Sequence, residues 1–246
     1  MVNVPGFTFN GRHSSEFGIT VLSHPVDVAH EPSYRELQLR NADGTIIQSA
    51  KRGPRQHPAI NVMIPHEDYS AMISTYRSIS AWLNVSLPKV LAFDRDPGVI
   101  YYAVIYRKIV AQNFILGEFP IHFYSPDPYA YNETLSEFNG LEVTNNGVPV
   151  PSLLEFEAAS SGSGLEIGFP GGYRLMLEYS FASGDELVVD TQKRLILING
   201  MDGREANSMF SSSFNDLLIP SGSHAITVYP EALLSVKSIK FREKYL

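Results

Sequence analysis

The sequence predicts a mainly β protein with one helical segment in its first half. Three observations support this fold class: short alternating apolar stretches, turn residues between them, and one stretch with helical spacing. The chain has 246 residues, including 18 Gly and 16 Pro, which suits many short strands joined by tight turns. A chain of this length forms one large domain or two domains of ordinary size.

Two β-hairpins can be placed from the sequence alone. Residues 99–105 (VIYYAVI) are apolar or aromatic on both faces, and an Asp96-Pro97-Gly98 turn separates them from residues 90–94. Proline presets φ at the first central position of such a turn, and glycine accepts a positive φ at the next. The same reasoning predicts a second hairpin, formed by residues 187–190 and 195–198. The small-residue run at 160–164 (SSGSG) predicts an exposed loop between strands.

One helix is predicted between Glu67 and Leu83. Pro65 precedes it, and Glu67 and Asp68 place negative charge in the first turn, where the helix dipole favours it. Trp82 is expected to anchor the helix onto a sheet, so the first half of the chain is predicted to be an α+β unit. The apolar residues recur at spacings of three and four: Tyr69, Met72, Ile73, Tyr76, Ile79 and Leu83.

The domain boundary is predicted at a proline-rich segment in the middle of the chain. Phe119, Ile121 and Phe123 alternate as in a strand, and residues 126–131 (PDPYAY) then interrupt the pattern. Asp127 lies between two prolines that hold the backbone extended, so it is not predicted to be a catalytic acid. We therefore predict a first domain at residues 1–131 and a second at residues 132–246, with this segment as the hinge between them.

Composition excludes several classes of function. The formal net charge of −7 argues against a surface that binds nucleic acid or anionic membranes through basic residues. No apolar run approaches the roughly 20 residues of a transmembrane helix, and no secretory signal is visible. The chain has no cysteine, which excludes disulfides and thiolate chemistry and fits folding in a reducing cytoplasm.

The sequence carries no catalytic, metal or cofactor motif. The seven histidines form no H-x-H, H-x-x-x-H or H-E-x-x-H pattern, and no G-x-S-x-G motif is present. We therefore predict a protein that is not an enzyme and that binds no cofactor or metal. One basic patch, residues 51–55 (KRGPR), precedes His57. It is either a solvated loop or a contact with a partner subunit through Arg52, Arg55 and His57, and the sequence leaves both interpretations open.

Several motifs together resemble the distal tail proteins of siphophages, the hub subunits at the tip of long non-contractile tails. Each motif is weak alone, and their order along nearly the whole chain carries the resemblance. In the first half they are FTFNG (7–11), SSEFGI (14–19), the helix ending in Trp82-Leu83, LAFD (91–94), FPIHF (119–123) and DPYAY (127–131). In the second half they are PVP (149–151), GDELVVDT (184–191), ING (198–200), and IPSG (219–222) followed by AITV (225–228).

The resemblance implies a function as well as a fold. It implies a first domain with a β-sandwich, one helix and an extended hairpin, and a peripheral second domain with a sandwich like those of galectins or carbohydrate-binding modules. The first domain would assemble into a homohexameric ring, or into stacked rings, that joins the tail tube to tail-tip, fibre or lysin-type and receptor-binding or baseplate proteins. The protein would lie in the virion tail tip after assembly in the host cytoplasm, and DNA would pass through the ring. Because a basic lumen would retain DNA, we expect a neutral or acidic inner wall, with Arg52 and Arg55 pointing away from it.

A second interpretation is a cell-surface carbohydrate-binding module, or adhesin, acting through the second domain. Saccharide sites use exposed aromatic rings with polar groups around them. The aromatic residues that could supply them are Tyr173, Tyr179, Phe181 and Phe210. Packing within the sheets explains the same residues equally well.

Overall fold

The protein is described by a computed structural model over residues 5–25, 32–39, 43–65, 68–109 and 117–246. It divides into two compact units, Met1–Ala130 with Leu246, and Tyr131–Tyr245. The sequence prediction placed the division after Tyr131 and assigned Leu246 to the second domain. Glu67, the predicted first residue of the helix, lies outside the described residues.

The first unit contains two larger antiparallel sheets, one separate hairpin and one helix. Its strands are β1 (Phe7–Phe9), β2 (Arg12–His13), β3 (Thr20–Ser23), β4 (Pro32–Gln38), β5 (Thr45–Arg52), β6 (Arg55–Gln56), β7 (Ile60–Met63), β8 (Lys89–Phe93), β9 (Val99–Ile105), β10 (Glu118–Ile121) and β11 (Phe123–Ser125). The helix is α1 (Tyr69–Leu83), and a short 3-10 helix covers Ser14–Phe17. The first sheet runs in the order β2-β1-β8-β9-β11-β6, the second is β10-β7-β3, and β4 pairs with β5. The predicted hairpin of β8 and β9 is confirmed, with Leu91 opposite Tyr101.

Helix α1 closes the core of this unit, as its spacing predicted. Asp68 caps its start, because the carboxylate accepts a hydrogen bond of 2.7 Å from the amide of Ala71. Trp82 is buried and stacks on Phe17, with ring centroids 4.3 Å apart. The helix is therefore held to the sheets through aromatic packing near its C-terminal end.

The second unit consists of strands alone apart from two short 3-10 helices, Pro170–Gly172 and Arg204–Ala206. Strand β12 (Ala130–Asn132) spans the division. The others are β13 (Ser136–Phe138), β14 (Glu142–Asn145), β15 (Leu153–Ala158), β16 (Gly162–Phe169), β17 (Tyr173–Phe181), β18 (Glu186–Asp190), β19 (Leu195–Ile198), β20 (Met201–Asp202), β21 (Gly222–Ala225), β22 (Thr227–Tyr229), β23 (Leu234–Phe241) and β24 (Lys244–Tyr245). A six-stranded sheet, β13-β23-β15-β18-β19-β20, accompanies the three-stranded β17-β16-β22 and the pair β14-β21.

The core of this unit follows the alternation of its strands. In β15 every second residue is buried, and Leu154 and Phe156 are completely enclosed. The predicted hairpin of β18 and β19 is confirmed, with Val188 opposite Leu197. The mainly β fold class, with one helix among the described residues, is likewise confirmed.

The prediction of an exposed loop at residues 160–164 was wrong for residues 162–164, because β16 begins at Gly162. Gly162 pairs with Phe181, and a bulge follows at Gly164, where φ is +74°. A Cβ atom on Gly162 would lie 2.8 Å from Leu233 Cδ1. The glycines therefore permit close packing and a bulge within a strand, and the small-residue composition alone does not distinguish this from a loop.

None of the helices in the described part of the chain is long and apolar enough to span a membrane.

Candidate functional site

The hairpin of β4 and β5 stands apart from the other sheets of the first unit. Its strands pair with each other, and within the described ranges neither pairs with a third strand. Leu37 lies directly opposite Ile46, so the two side chains share one face of the hairpin. Leu37 is 42% exposed and Ile46 is 50% exposed, so this face of the hairpin presents apolar side chains to solvent.

The opposite face of the hairpin is also partly apolar. Ile47 lies opposite Glu36 and is more than half exposed, and Tyr34 on the same strand as Glu36 is about as exposed as Ile46. A two-stranded hairpin is at best marginally stable in water without further packing. A hairpin with apolar side chains on both faces is therefore a candidate surface for contact with another protein.

A groove lies beside α1 in the same unit. It has a volume of about 510 Å³ and lies between the helix, the end of β9 and Phe119 of β10. Apolar side chains form much of its wall, including Ile79, Leu83 and Ile105. The hydroxyl of Tyr76 is buried there without a hydrogen-bond partner among the described residues, and burial raises its pKa.

The predicted basic patch does not form one surface. Arg52 is exposed, and its guanidinium lies 5.7 Å from the ring centre of Tyr129. Arg55 and His57 are both buried. The solvated-loop interpretation is therefore wrong for these two residues. A partner contact through the patch stays a prediction, and among its three residues Arg52 has the exposed side chain.

Strand pairing explains the burial of Arg55 and His57. Arg55 lies opposite Ser125 in the pairing of β6 with β11, and the amide of His57 donates to the carbonyl of Phe123 at 3.0 Å. The ring of His57 forms a 2.8 Å hydrogen bond from Nε2 to the Ser125 hydroxyl. Arg55 and His57 alternate with exposed Gln56. This period of two was the sequence signal for a short strand, hidden within a run of charged residues.

A cavity of about 370 Å³ lies next to these two residues. Its wall includes Arg55, His57, Arg95 and Tyr101. Burial, followed by the charges of Arg55, His24 and Arg95, lowers the pKa of His57 to about 3. Burial and the Arg95 charge lower the pKa of His24 to about 4. Both histidines are therefore neutral near pH 7, and the positive charge beside the cavity belongs to the arginines.

The predicted aromatic set does not form one saccharide platform. Phe181 is only 3% exposed and packs in the core of the second unit. Tyr179 packs against the same core and contacts Phe181, with ring centroids 4.9 Å apart. Phe181 thus cannot present a ring face to a ligand. Tyr173 and Phe210 are exposed, and saccharide binding through them stays a prediction.

A serine, a histidine and an aspartate come together near the first strand. Ser15 Oγ lies 2.6 Å from His13 Nδ1, and His13 Nε2 lies 3.0 Å from Asp94 Oδ2. The amide of Ser15 also donates to His13 Nδ1, and Glu16 accepts from the amide of His13, which completes a capping box. These bonds cap the 3-10 helix and connect it to the end of β8. No group of three or more histidine and acidic side chains in the described part of the chain could hold a metal ion.

Comparison with known proteins finds a family match within the second unit and a relative that covers nearly the whole chain. Residues 145–245 match the sequence model of the family described as "Siphovirus-type tail component, C-terminal domain". Over 98% of this chain and 97% of the relative, the sequence is 23% identical to the SPbeta prophage-derived uncharacterized protein YomH of Bacillus subtilis (strain 168).

The fold is similar to a solved structure over nearly its whole length. That structure is titled as the SPP1 Dit (gp 19.1) protein, "a Paradigm of Hub Adsorption Apparatus in Gram-positive Infecting Phages". The TM-score is 0.79 at 16% identity, covering 99% of this chain and 100% of the other. The predicted resemblance to siphophage distal tail proteins is confirmed, since residues 145–245 match that family model and the fold matches the SPP1 Dit structure.

Proposed function

We propose that this protein is a structural hub subunit at the tip of a long non-contractile phage tail and that it acts without catalysis. The observation that carries the proposal is the β4–β5 hairpin, which exposes Leu37, Ile46 and Ile47 and has no third strand within the described residues. The match of residues 145–245 to a tail-component family model and the fold shared with a hub protein support the same role.

In this role six copies form a ring, alone or stacked with a second ring. The ring joins the tail tube to fibre or lysin-type and receptor-binding or baseplate proteins, and DNA passes through its lumen. Net charge of −7 suits a lumen that must not retain DNA. The protein binds no specific nucleic acid sequence, inserts into no membrane, and joins the virion tail tip after assembly in the host cytoplasm.

The hairpin supplies the driving force for ring closure. Burying one Leu or Ile side chain stabilises a contact by roughly 1.5–3 kcal/mol before the entropic cost of association. Leu37 and Ile46 lie side by side, so one neighbouring subunit can cover both. The same contact can also cover open strand edges of the hairpin. A head-to-tail contact of this kind closes into a ring when the rotation between copies permits it.

The test compares two variants on adjacent positions of β4. Leu37→Asp places a charge on the face that carries Leu37 and Ile46, and Gln38→Asp places the same charge on the other face of the strand, which already carries Glu36. We expect six-fold rings in negative-stain images and a hexamer mass in solution for the unmodified protein and for Gln38→Asp. We expect Leu37→Asp to remain folded by circular dichroism and to shift to smaller species.

Two results would contradict the proposal. If the unmodified protein were strictly monomeric at micromolar concentration, the proposed ring would be contradicted. Rings that persist in Leu37→Asp would show that the hairpin does not drive assembly.

A further inference from the structure

We propose that the cavity beside Arg55 in the first unit is a binding site for a small oxyanion, either phosphate or a carboxylate. The cavity measures about 370 Å³, whereas a water molecule in the liquid occupies about 30 Å³. It therefore has room for such an ion with part of its hydration shell. The residues that line it are Arg55, His57, Pro58, Phe93, Arg95, Asp96, Tyr101 and Leu246, which belongs to the same unit.

Arg55 is buried and forms no ion pair with a carboxylate in the described part of the chain. Arg55 is only 8% exposed, and its Nε has no hydrogen-bond partner among the described residues. Neither Arg55 nor Arg95 takes part in any ion pair between described residues. Burying a cation costs free energy unless the cation is paired. An anion that enters the cavity would therefore be stabilised by pairing with the Arg55 guanidinium.

The existing contacts of the two arginines offset only part of that cost. The guanidinium of Arg55 lies 5.4 Å from the ring centre of Tyr101, within the range of a cation–π contact. Arg95 Nη1 donates to the carbonyls of His24 and Pro25, at 2.8 and 3.0 Å. Arg55 also forms a hydrogen bond with the Tyr101 hydroxyl. All of these partners are neutral, and none of them carries a full negative charge.

The cavity is lined by two cations and by two carboxylates that do not pair with them. Arg55 and Arg95 are the cations, and Asp96 and the terminal carboxylate of Leu246 are the anions; no ion pair forms between them. His57 is neutral near pH 7 because its pKa is lowered to about 3. Burial raises the pKa of Tyr101, so its hydroxyl keeps its proton and can donate. The unpaired Nε–H of Arg55, with the Tyr101 hydroxyl beside it, suits an anion that offers two or more acceptor oxygens.

The guanidinium group determines the class of ligand. Its planar N–H donors match two oxygens of one carboxylate or phosphate, and such bidentate pairs are stronger than single hydrogen bonds. Because Arg55 is recessed in the unit, the ligand must be small enough to enter the cavity. A nucleic acid backbone is too large to do so.

Thermal unfolding tests the proposal with inorganic phosphate and acetate as probes, each against chloride at matched ionic strength and pH. Binding to the folded state raises the Tm, and we expect about 2–4 °C at saturating probe. Phosphate also stabilises proteins by exclusion from their surfaces. The quantity compared is therefore the increment, which is the rise in Tm with the probe over that with chloride. It is measured in the unmodified protein and in Arg55→Met.

Arg52→Met is the matched control, because it removes the same charge from an exposed arginine three residues away. We expect the increment to be lost in Arg55→Met and kept in Arg52→Met. An increment with phosphate alone identifies a phosphate site, and one with acetate identifies a carboxylate site. No increment with either probe, or equal increments in the unmodified protein and Arg55→Met, would overturn the proposal.

A second measurement uses only the unmodified protein, so it does not depend on whether a variant folds. Crystals of the unmodified protein soaked in selenate, an oxyanion that scatters anomalously, should show a peak within hydrogen-bond distance of the Arg55 guanidinium. Peaks elsewhere only, or none in this cavity, would equally overturn the site.

Discussion

The indole Nε1 of Trp82 donates a 2.7 Å hydrogen bond to the backbone carbonyl of Phe9. The same indole stacks on Phe7 and on Phe17, with ring centroids 5.8 and 4.3 Å apart. One side chain near the end of α1 therefore joins the helix, the first strand and the 3-10 helix. This contact is buried, so both its apolar area and its hydrogen bond stabilise the first unit.

Replacing the indole by a smaller ring should destabilise the protein measurably. Trp82→Phe removes ring atoms from a packed site and leaves the carbonyl of Phe9 without its donor. We expect the free energy of unfolding to fall by about 2–4 kcal/mol, measured by urea denaturation followed by circular dichroism. Tyr106→Phe is the control, because its hydroxyl bonds Gln56 at an exposed position at 3.2 Å. A loss as small as that of the control would show that the indole contact contributes little.

Gly147 lies where no side chain fits. A Cβ atom there would lie 2.2 Å from the backbone carbonyl oxygen of Lys244, which cannot rotate away as a side chain could. We expect Gly147→Ala to lower the free energy of unfolding by about 1–3 kcal/mol. Gly140→Ala is the control in the same unit, since nothing lies within 4 Å of its Cβ position. Equal stability of the two variants in thermal unfolding would contradict the close approach.

Buried His57 should make stability depend on pH. Its pKa is lowered to about 3 from an ordinary value of 6.5, so the unfolded chain binds the proton first as pH falls. The stabilisation is complete above about pH 6.5 and is lost progressively toward pH 3, with a slope of at most about 1.4 kcal/mol per pH unit.

The comparison of His57→Gln with the unmodified protein isolates this contribution. Between pH 6.5 and pH 5, most carboxylates remain ionised, and the variant should lose less free energy of unfolding than the unmodified protein. Denaturant titrations at several pH values provide the measurement. If the free energy of unfolding changed with pH equally in both proteins, the pKa of His57 would be the same in the folded and the unfolded chain.

The cap of α1 gives a smaller, local prediction. Asp68 accepts from the amide of Ala71, so Asp68→Ala should cost about 1 kcal/mol in the free energy of unfolding. Asp68→Asn retains an acceptor oxygen and should cost clearly less. Should both variants cost the same, the charge rather than the hydrogen bond would be the stabilising feature.

The elements with strong local signals were predictable from the sequence. The β8–β9 hairpin follows from Asp96-Pro97-Gly98 between two apolar runs, and α1 from spacings of three and four. In both cases, one short segment contains the turn chemistry or the periodicity that specifies the structure. Strands β18 and β19 were found in the same way.

The environment of Arg55 was not predictable, because pairing with a distant strand creates it. Ser125 lies 70 positions further along the chain, and its pairing with Arg55 converts a charged run into a buried strand. Phe181 illustrates the opposite case, since its alternation was compatible with either face of β17 until the sheet was known. An extended hairpin in the first domain was expected from the family resemblance, whereas the exposed apolar side chains of β4 and β5 are known only from the structure.

The position of Trp82 provides an optical probe that requires no label. It is the single tryptophan of the chain, and it lies in the core of the first unit among phenylalanines. Emission excited at the red edge of indole absorption therefore reports on that unit alone, and the second unit contributes only tyrosine and phenylalanine signals. The melting of the first unit can thus be followed selectively in the intact protein, free or within an assembled particle that contains no other tryptophan.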